Sequence, residues 1–525
     1  MAINRRQLLA AGTGLAATGV WAASCDGAAG RAAPSRMASA GRTVAPSARA
    51  AGADWTALAK GLSGGLVRPG DADYATAHRL YNTRYDGLRP AGVAYVAGTP
   101  DITACLDFAR RFSIPVSIRN GGHSYAGWSS GDDRLVLDVS RLRTVRTDSA
   151  TSAVIGAGAK LIDVYTGLAA HGVTIPGGSC PTVGVSGLTL GGGHGILSRA
   201  YGLTCDNLTG ATLVTADGRT LDCSADRNTD LFWALRGAGN GNFGVVTELR
   251  FRTRPAGNGV TGYVSFPWSR AAEVLRAWQE WGPTLPDEIW SACDLSATAG
   301  GTPRISVAAF TLGTRGDLEN ALDQLIENTG SSPAGHPPRL RDHSYLDTVR
   351  AYAGCGDKSA EQCHLPGTVP GHDTAGSLGR ETYAARSDFY DSSLSEDGIR
   401  ALLGQLERFS TGGGSGGASV QLTALGGAVN RVRPLATAFV HRRSRFLAQY
   451  LASWQEGGSG TSQMSWLNGI HAAMLRYASG AAYQNYTDPA LKDWRQAYYG
   501  SAADSLKKIK DRYDPDRVFD FPQAL

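Results

Sequence analysis

The most constraining feature of the sequence is the glycine-rich run at residues 177–195, GGSCPTVGVSGLTLGGGHG. Its eight glycines make the run costly to fold, because glycine loses more backbone freedom than any other residue. The run also holds too much Val, Leu and Thr for a flexible linker. Such a segment is expected where the backbone must approach another group so closely that a side chain would collide. We therefore expect a ligand-contacting loop around its single cysteine, Cys180.

The N-terminal region accounts for the net charge and predicts export. Residues 1–50 carry six arginines and one acid, which equals the whole net charge of +5. The neutral remainder gives no indication of nucleic-acid binding. The sequence NRRQLLAAGTGLAATGVWAAS predicts a twin-arginine signal peptide in a leader at 1–53, because its apolar stretch is too short and weak to span a membrane. A lipid anchor at Cys25 stays open, although Ala22 stands where such sites carry leucine.

Cysteine usage suggests one disulfide and one cysteine with a different role. Seven cysteines follow Cys25, and exported proteins favour disulfides. Cys355 and Cys363 flank a short polar loop and are the candidate pair. No C-x-x-C pair occurs, so no structural zinc is expected. Because seven cysteines cannot all pair with one another, at least one must remain outside a disulfide, and we expect this one to be Cys180.

Two other local patterns are excluded by their context. Residues 239–244 match G-x-G-x-x-G, but they follow a predicted helix and open a predicted strand, the reverse of a dinucleotide fingerprint. His123, His171 and His194 lack a carboxylate or thiol cluster at ligand spacing, so no metal site is predicted. A second glycine turn at 119–124 carries His123, 57 residues before Cys180. Successive amides in two such loops can bind a pyrophosphate.

These segments together resemble the FAD-linked oxidases of the berberine bridge enzyme type, within the vanillyl-alcohol oxidase fold. The matching segments follow the family's order over roughly 115–525: RNGGHS, CPTVGVSGLTLGGGHG, WALRGAGNGNFGVV, YQNYTD and YDPDRVF. The resemblance implies an α+β fold of two domains. A split FAD domain would comprise 54–255 and a returning segment at 482–525. A substrate domain at 256–481 would carry an antiparallel sheet covered by helices.

The resemblance also implies how FAD is held. In this family the histidine of the first glycine loop bonds to the flavin 8α-methyl carbon, and the cysteine of the second bonds to ring position six. Carried over, His123 and Cys180 both tether FAD. The cofactor-binding residues that the resemblance implies are Arg119, Asn120, Gly121, Gly122, His123, Ser124, Tyr125, Cys180, Val183, Gly184, Gly187, Gly191, Gly192, Gly193, His194, Gly195, Gly244, Val246 and Asn485.

The implied chemistry is transfer of a hydride from an alcohol or lactol carbon to the flavin, while a base takes the hydroxyl proton. Tyr483 and Tyr486 are both candidates for the base, and each would need a lowered pKa. In relatives, alternating positions of the strand at 419–429 carry polar groups on the substrate side, so Gln421 and Thr423 share one candidate face. In relatives, valine at the position of Val183 accompanies the use of O2 as electron acceptor. The expected partners are thus O2 and a sugar, an oligosaccharide or a glycosylated natural product, with no oligomeric state implied.

Two alternatives stay open at this point. Within enzymes, the alternative is a flavin dehydrogenase or oxidative cyclase that passes its electrons elsewhere. Outside enzymes, the alternative is an exported binding protein that sequesters a metabolite. The absence of a glutamate at residues 419–429 argues against the berberine-forming cyclisation.

Overall fold

The structure is a computed structural model, and it describes residues 53–330, 332–334, 337–412 and 415–525. The predicted signal peptide and Cys25 lie outside the described residues, so export and lipidation stay predictions. No helix in the described part of the chain is long and apolar enough to cross a membrane.

Strands and helices are interspersed along the described chain. The strands are β1 (Leu66–Val67), β2 (Gly92–Tyr95), β3 (Val116–Arg119), β4 (Leu135–Asp138), β5 (Val145–Ser149), β6 (Ser152–Gly156), β7 (Val173–Thr174), β8 (Leu208–Val214), β9 (Thr220–Ser224), β10 (Val245–Arg252), β11 (Arg254–Pro255), β12 (Gly259–Phe266), β13 (Ile289–Thr298), β14 (Arg304–Thr311), β15 (Arg339–His343), β16 (Tyr383–Tyr390), β17 (Gly417–Ala424) and β18 (Phe446–Ser453). The α-helices are α1 (Trp55–Gly61), α2 (Tyr74–Ala77), α3 (Thr99–Phe112), α4 (Leu161–Ala169), α5 (Val185–Leu190), α6 (Ser198–Tyr201), α7 (Thr229–Leu235), α8 (Ala271–Thr284), α9 (Arg315–Thr329), α10 (Tyr345–Tyr352), α11 (Glu396–Thr411), α12 (Gly427–Arg431), α13 (Thr461–Met474), α14 (Trp494–Tyr499) and α15 (Ala503–Tyr513).

The first half of the chain builds two sheets that share one hydrophobic core. A four-stranded sheet has the order β1-β2-β4-β3, and its β2, β4 and β3 are parallel. A five-stranded antiparallel sheet has the order β5-β6-β10-β8-β9. Leu137 and Ile155, one from each sheet, belong to the same buried cluster as Tyr498 and Leu506 near the C-terminus. The end of the chain therefore packs onto its first half.

A second core lies beneath a seven-stranded antiparallel sheet with the order β15-β12-β14-β13-β17-β18-β16. Helices α8, α9, α11 and α13 cover one face of this sheet. Val274, Leu322, Leu402 and Ile470, one from each helix, are buried in the same cluster. These sheets and helices confirm the predicted α+β architecture. The exact domain boundaries stay predictions.

The structure corrects the cysteine assignment in part. Cys355 and Cys363 form a disulfide, as predicted. The prediction that Cys180 takes no part in a disulfide is wrong for this structure, in which Cys180 is disulfide-bonded. The count of seven leaves out Cys25, and the whole chain has eight cysteines, an even number. The remaining described cysteines are buried and free, and they are Cys105, Cys205, Cys223 and Cys293.

Candidate active site

The two glycine-rich loops, the polar face of the seven-stranded sheet and the C-terminal segment enclose one cavity of about 300 Å³. Most of the residues predicted from the sequence line it. They are Asn120, Gly121, Gly122, His123, Ser124, Tyr125, Cys180, Val183, Gly184, Gly187, His194, Gln421, Tyr483, Asn485 and Tyr486. The structure thus brings together groups that are up to 366 residues apart in sequence.

Seven predicted residues do not line this cavity: Arg119, Gly191, Gly192, Gly193, Gly195, Gly244 and Val246. Arg119 is buried, pairs with Asp138 and lines a neighbouring cleft. Val246 pairs with Leu213 inside the five-stranded sheet, and a Cβ at Gly244 would lie 2.6 Å from the carbonyl oxygen of Val214. Gly244 and Val246 therefore contribute to the packing of the five-stranded sheet and do not line the cavity.

Gly191, Gly192, Gly193 and Gly195 shape the turn behind the cavity wall. The backbone N–H of Gly193 donates a 2.8 Å hydrogen bond to the Tyr483 hydroxyl. Gly192 and Gly193 have φ values of +125° and +83°, a backbone region that side chains rarely adopt. Glycine therefore lets this turn adopt the backbone conformation in which the Gly193 N–H reaches the Tyr483 hydroxyl.

The two loops need glycine because they press against each other. A Cβ at Gly121 would lie 2.5 Å from the carbonyl oxygen of Thr182 and 2.6 Å from the amide nitrogen of Gly184. A Cβ at Gly184 would meet the side chain of Asn120 at 2.1 Å. These separations are shorter than atoms tolerate, so any side chain would force the loops apart. Contact between the two loops therefore explains the glycines at these two positions, and this explanation does not depend on a bound ligand.

His123 is held at the junction of the two loops. Its Nε2 lies 2.8 Å from Oγ1 of Thr182, and its ring stacks on Tyr81 at a centroid distance of 4.0 Å. Burial, aided by the charge of Lys160, lowers the pKa of His123 to about 3. The imidazole is therefore neutral at physiological pH, as a nucleophile must be.

Tyr486 forms a polar pair with His194 at the cavity wall. The Tyr486 hydroxyl lies 2.8 Å from Nε2 of His194, and the Tyr486 ring stacks on Tyr125 at 5.2 Å. Burial lowers the pKa of His194 to about 4, so this ring is neutral. Its Nδ1 is buried and has no hydrogen-bond partner among the described residues.

Tyr483 lies deeper and is bonded differently. Its oxygen accepts hydrogen bonds from the Gly193 N–H and from the Asn485 amide, each 2.8 Å long. Its ring packs edge-on against Phe389 and Phe439. The expectation of a lowered phenol pKa is wrong for both tyrosines, because burial raises the pKa of Tyr483 and of Tyr486 and no charged group in the described structure offsets it.

The sheet contributes a row of polar side chains, most of which sequence reasoning missed. Asp294, Gln421 and Gln449 are direct cross-strand neighbours on β13, β17 and β18, so their side chains share one face. Gln421 Nε2 donates to Oδ1 of Asp294 at 2.8 Å, and Gln449 Nε2 donates to the Tyr125 hydroxyl at 2.7 Å. The alternation of β17 pointed to Gln421. No sequence signal revealed that a strand more than a hundred residues away adds a carboxylate beside it.

Asp294 is expected to make stability depend on pH. Burial raises its pKa to about 6, although the hydrogen bond from Gln421 opposes the shift. Because this value lies above the unfolded value of about 3.9, the folded state binds the proton more tightly. Stability should therefore fall as pH rises from 4 to about 6 and stay lower above it. Asp294→Asn should be more stable than wild type at pH 8, by up to about 3 kcal/mol, and equal near pH 4 in urea unfolding.

A matched control is Asp342→Asn, at an exposed position. A hydrogen bond from Arg315 lowers the pKa of Asp342, so the sign of its contribution is opposite. This variant should gain no stability at pH 8. Equal stability of Asp294→Asn and wild type across the pH range would show that Asp294 is not destabilising when charged.

The described residues fit an FAD. The cavity is lined by backbone of two glycine loops, which provides unhindered amides for phosphate and ring oxygens. Two buried polar atoms at its wall, Nδ1 of His194 and Oδ1 of Asn240, lack a partner in the described structure, as expected where a polar cofactor completes the site. His123 and Cys180 also line the cavity.

Comparison with known proteins agrees with this reading. Residues 90–224 match the family model for an FAD binding domain, and residues 482–525 match the model described as berberine and berberine like. The FAD-linked oxidoreductase YgaK of Bacillus subtilis is 31% identical over 88% of this chain and 97% of its own. This chain belongs to the berberine-like FAD-linked oxidoreductases. The berberine-like assignment makes it a flavoprotein and an oxidoreductase.

Other relatives are named as oligosaccharide oxidases. The chitooligosaccharide oxidase of Gibberella zeae is 31% identical over 85% of this chain and 89% of its own. The xylooligosaccharide oxidase of Thermothelomyces thermophilus is 30% identical over 83% and 87%. Among solved structures, BBE-like 1 of Physcomitrella patens superposes with a TM-score of 0.79 at 29% identity, over 89% of this chain and 98% of that one. This likeness confirms the predicted vanillyl-alcohol oxidase-type fold.

Proposed function

We propose that this berberine-like protein is an FAD-dependent oxidase of sugars. It would remove a hydride from an alcohol or lactol carbon of a sugar, an oligosaccharide or a glycosylated natural product, and O2 would become H2O2. The observation that carries the proposal is the cavity wall, where the Tyr486 phenol faces the same space as the amides of Gln421 and Gln449. Relatives named as oligosaccharide oxidases support the substrate class.

Tyr486 is the better placed of the two phenols to take the substrate's hydroxyl proton. The Tyr483 oxygen already accepts two hydrogen bonds within the protein, whereas the Tyr486 hydroxyl is hydrogen-bonded to the neutral ring of His194. Burial keeps Tyr486 protonated at rest, so its own proton must leave as the substrate proton arrives. Nε2 of His194 is in place to receive it at 2.8 Å. FAD, when bound, supplies the acceptor for the hydride.

The polar row of the sheet would orient the sugar. The amide of Gln421 is anchored by Asp294, and that of Gln449 by Tyr125, so each amide is held in place at the cavity wall. Fixed amides match the hydroxyl groups of a saccharide, which both donate and accept hydrogen bonds. A substrate held in one orientation brings one carbinol carbon to the flavin.

Two covalent bonds to the flavin form part of the proposal. The neutral ring of His123 would bond to the 8α-methyl carbon, and the sulfur of Cys180 to ring position six. One sulfur forms either a disulfide or this thioether, so the holoprotein would carry the thioether at Cys180 in place of the disulfide. Its support is the position of both residues at the wall of one cavity.

Export through the twin-arginine route is proposed from the N-terminal sequence. This route carries folded proteins, which suits a chain that must acquire its flavin before it leaves the cytoplasm. N-terminal sequencing of protein recovered outside the cell should find a chain that begins between residues 22 and 53. Protein that keeps Arg5 and Arg6 would contradict export by cleavage.

The function is tested by a panel of oligosaccharides and glycosylated polyketides assayed for H2O2. The proposal predicts peroxide with at least one saccharide and an oxidised product two hydrogens lighter than the substrate. Tyr486→Phe is the matched variant, and it should keep its flavin and lose most of the peroxide signal. Flavin-bearing protein that is inert toward the whole panel would contradict the substrate class.

Val183 is expected to control access of O2. Its side chain lines the cavity and packs against the first core. Leucine is one methylene larger, and in a well-packed wall that methylene has no room without blocking the adjacent gap. Val183→Leu should therefore slow reoxidation of the reduced enzyme by at least tenfold while leaving reduction by substrate unchanged. Stopped-flow absorbance measures both steps, and Val183→Ala, which widens the gap, should reoxidise at least as fast as wild type.

A further inference from the structure

The hydrogen bond between His123 and Thr182 links the two glycine loops at the site of flavin attachment. Oγ1 of Thr182 lies 2.8 Å from Nε2 of His123, and Thr182 is only 3% exposed. The Thr182 hydroxyl therefore has no competition from bulk water for this bond. Nδ1 of His123 has no hydrogen-bond partner among the described residues.

Thr182 is itself held rigidly. The carbonyl oxygen of Thr182 is pressed against Gly121, where a Cβ would come within 2.5 Å. The neighbouring carbonyls of Pro181 and Val183 accept hydrogen bonds from Ile162 and Leu161 at the start of α4. The hydroxyl is thus presented from a fixed backbone.

A neutral imidazole carries one hydrogen, and its position decides which nitrogen can react. The nitrogen that bears hydrogen has no free lone pair, and only the other nitrogen is a nucleophile. His123 is neutral because burial and the nearby Lys160 keep its pKa low. A threonine hydroxyl can accept a hydrogen bond from Nε2–H or donate one to a bare Nε2, and only the first arrangement leaves the reactive lone pair on Nδ1, the nitrogen without a hydrogen-bond partner in the described part of the chain.

We propose that Thr182 is a positioning residue for covalent flavin attachment. Its hydroxyl accepts the hydrogen bond from Nε2–H of His123, which fixes both the tautomer and the ring orientation, so that Nδ1 carries the reactive lone pair. Stacking on Tyr81 restricts the other rotation of the ring. The inference deepens the proposed function, since it rests on the bond between His123 and the flavin 8α carbon.

The attachment step forms one C–N bond and reduces the flavin. Nδ1 of His123 forms a bond to the 8α carbon, one C–H bond of that methyl group breaks, and the hydrogen of the imidazole is released. The two electrons of the broken C–H bond and the two hydrogens leave the flavin reduced. O2 is the oxidant that restores the oxidised flavin, and it becomes H2O2. Thr182 takes no part in the bond changes and acts through the imidazole.

The test uses the Cys180→Ala protein, in which any covalent flavin must be attached at His123. Thr182→Val is added to remove the hydroxyl at nearly constant volume, and Thr182→Ser is added to keep the hydroxyl. Each protein is produced with FAD, and the flavin that stays in the acid precipitate is divided by the total flavin of the native protein. The time course of that fraction is followed after supplementary FAD is added in air.

Thr182→Val should attach flavin about tenfold more slowly than Cys180→Ala alone, the size of effect that one hydrogen bond accounts for. Thr182→Ser should restore the faster rate. The total flavin content of the native protein separates slow attachment from failure to fold or to bind FAD. Equal rates in the valine and serine variants would overturn the role of Thr182. Absence of covalent flavin in Cys180→Ala itself would instead overturn the bond to His123.

Discussion

Tyr486→Phe is expected to slow reduction of the flavin by a saturating saccharide by about 10²–10⁴-fold, the usual contribution of a positioned acid or base. The substitution removes only the hydroxyl that faces Nε2 of His194 and keeps the ring that stacks on Tyr125. Substrate affinity should therefore change little. Anaerobic stopped-flow mixing, with the loss of flavin absorbance as the signal, measures the rate and the apparent Kd together.

Tyr483→Phe is the matched control for this prediction. It removes the oxygen that accepts hydrogen bonds from Gly193 and Asn485, so we expect lower stability with less than a tenfold loss of reduction rate. If Tyr483→Phe is the slower of the two variants, the assignment of the base is wrong. If both reduce at the wild-type rate, the base lies elsewhere, and Asp294, which is hydrogen-bonded to the cavity residue Gln421, becomes the group to substitute.

The second large effect concerns retention of the flavin on denaturation. Acid-precipitated wild-type protein should stay yellow, and so should His123→Ala and Cys180→Ala, because each keeps one covalent bond. The double variant should release all of its flavin into the supernatant. The absorbance spectra of pellet and supernatant quantify the fractions, and the mass of flavin-bearing peptides identifies the attachment residues.

The His123→Ala variant in this experiment also shows whether the sulfur of Cys180 forms a thioether to the flavin or a disulfide. Covalent flavin in His123→Ala requires the thioether at Cys180, which excludes a disulfide there in the same molecules. Release of the flavin from His123→Ala would instead agree with the disulfide that the structure records at Cys180. His171→Ala, at a histidine that does not line the cavity, controls for general effects of the substitution.

Local patterns predicted the parts of the site that follow one another in sequence. The two glycine loops, Tyr483 and Tyr486 carry short motifs, and the structure gathers them around one cavity. The alternation of β17 placed Gln421 on a single face. These features are readable because the residues that define them are near neighbours in the chain.

Long-range pairing and burial explain what sequence reasoning missed. The contact between Asp294 and Gln421 depends on the antiparallel register of β13 with β17, which no local pattern encodes. The raised phenol pKa values follow from depth in the fold, which the sequence does not report. Gly121 and Gly184 were predicted to face a cofactor, and the structure shows that each is also required by the opposite loop.

The most direct test of the oxidase function is one anaerobic and aerobic cycle of the purified yellow protein. Mixed with the best oligosaccharide from the peroxide panel in the absence of O2, the protein should lose its flavin absorbance and form one oxidised saccharide per flavin. Admission of air should restore the colour within seconds and release one H2O2 per flavin. Colour that returns only over many minutes, without peroxide, would contradict an oxidase and indicate a dehydrogenase.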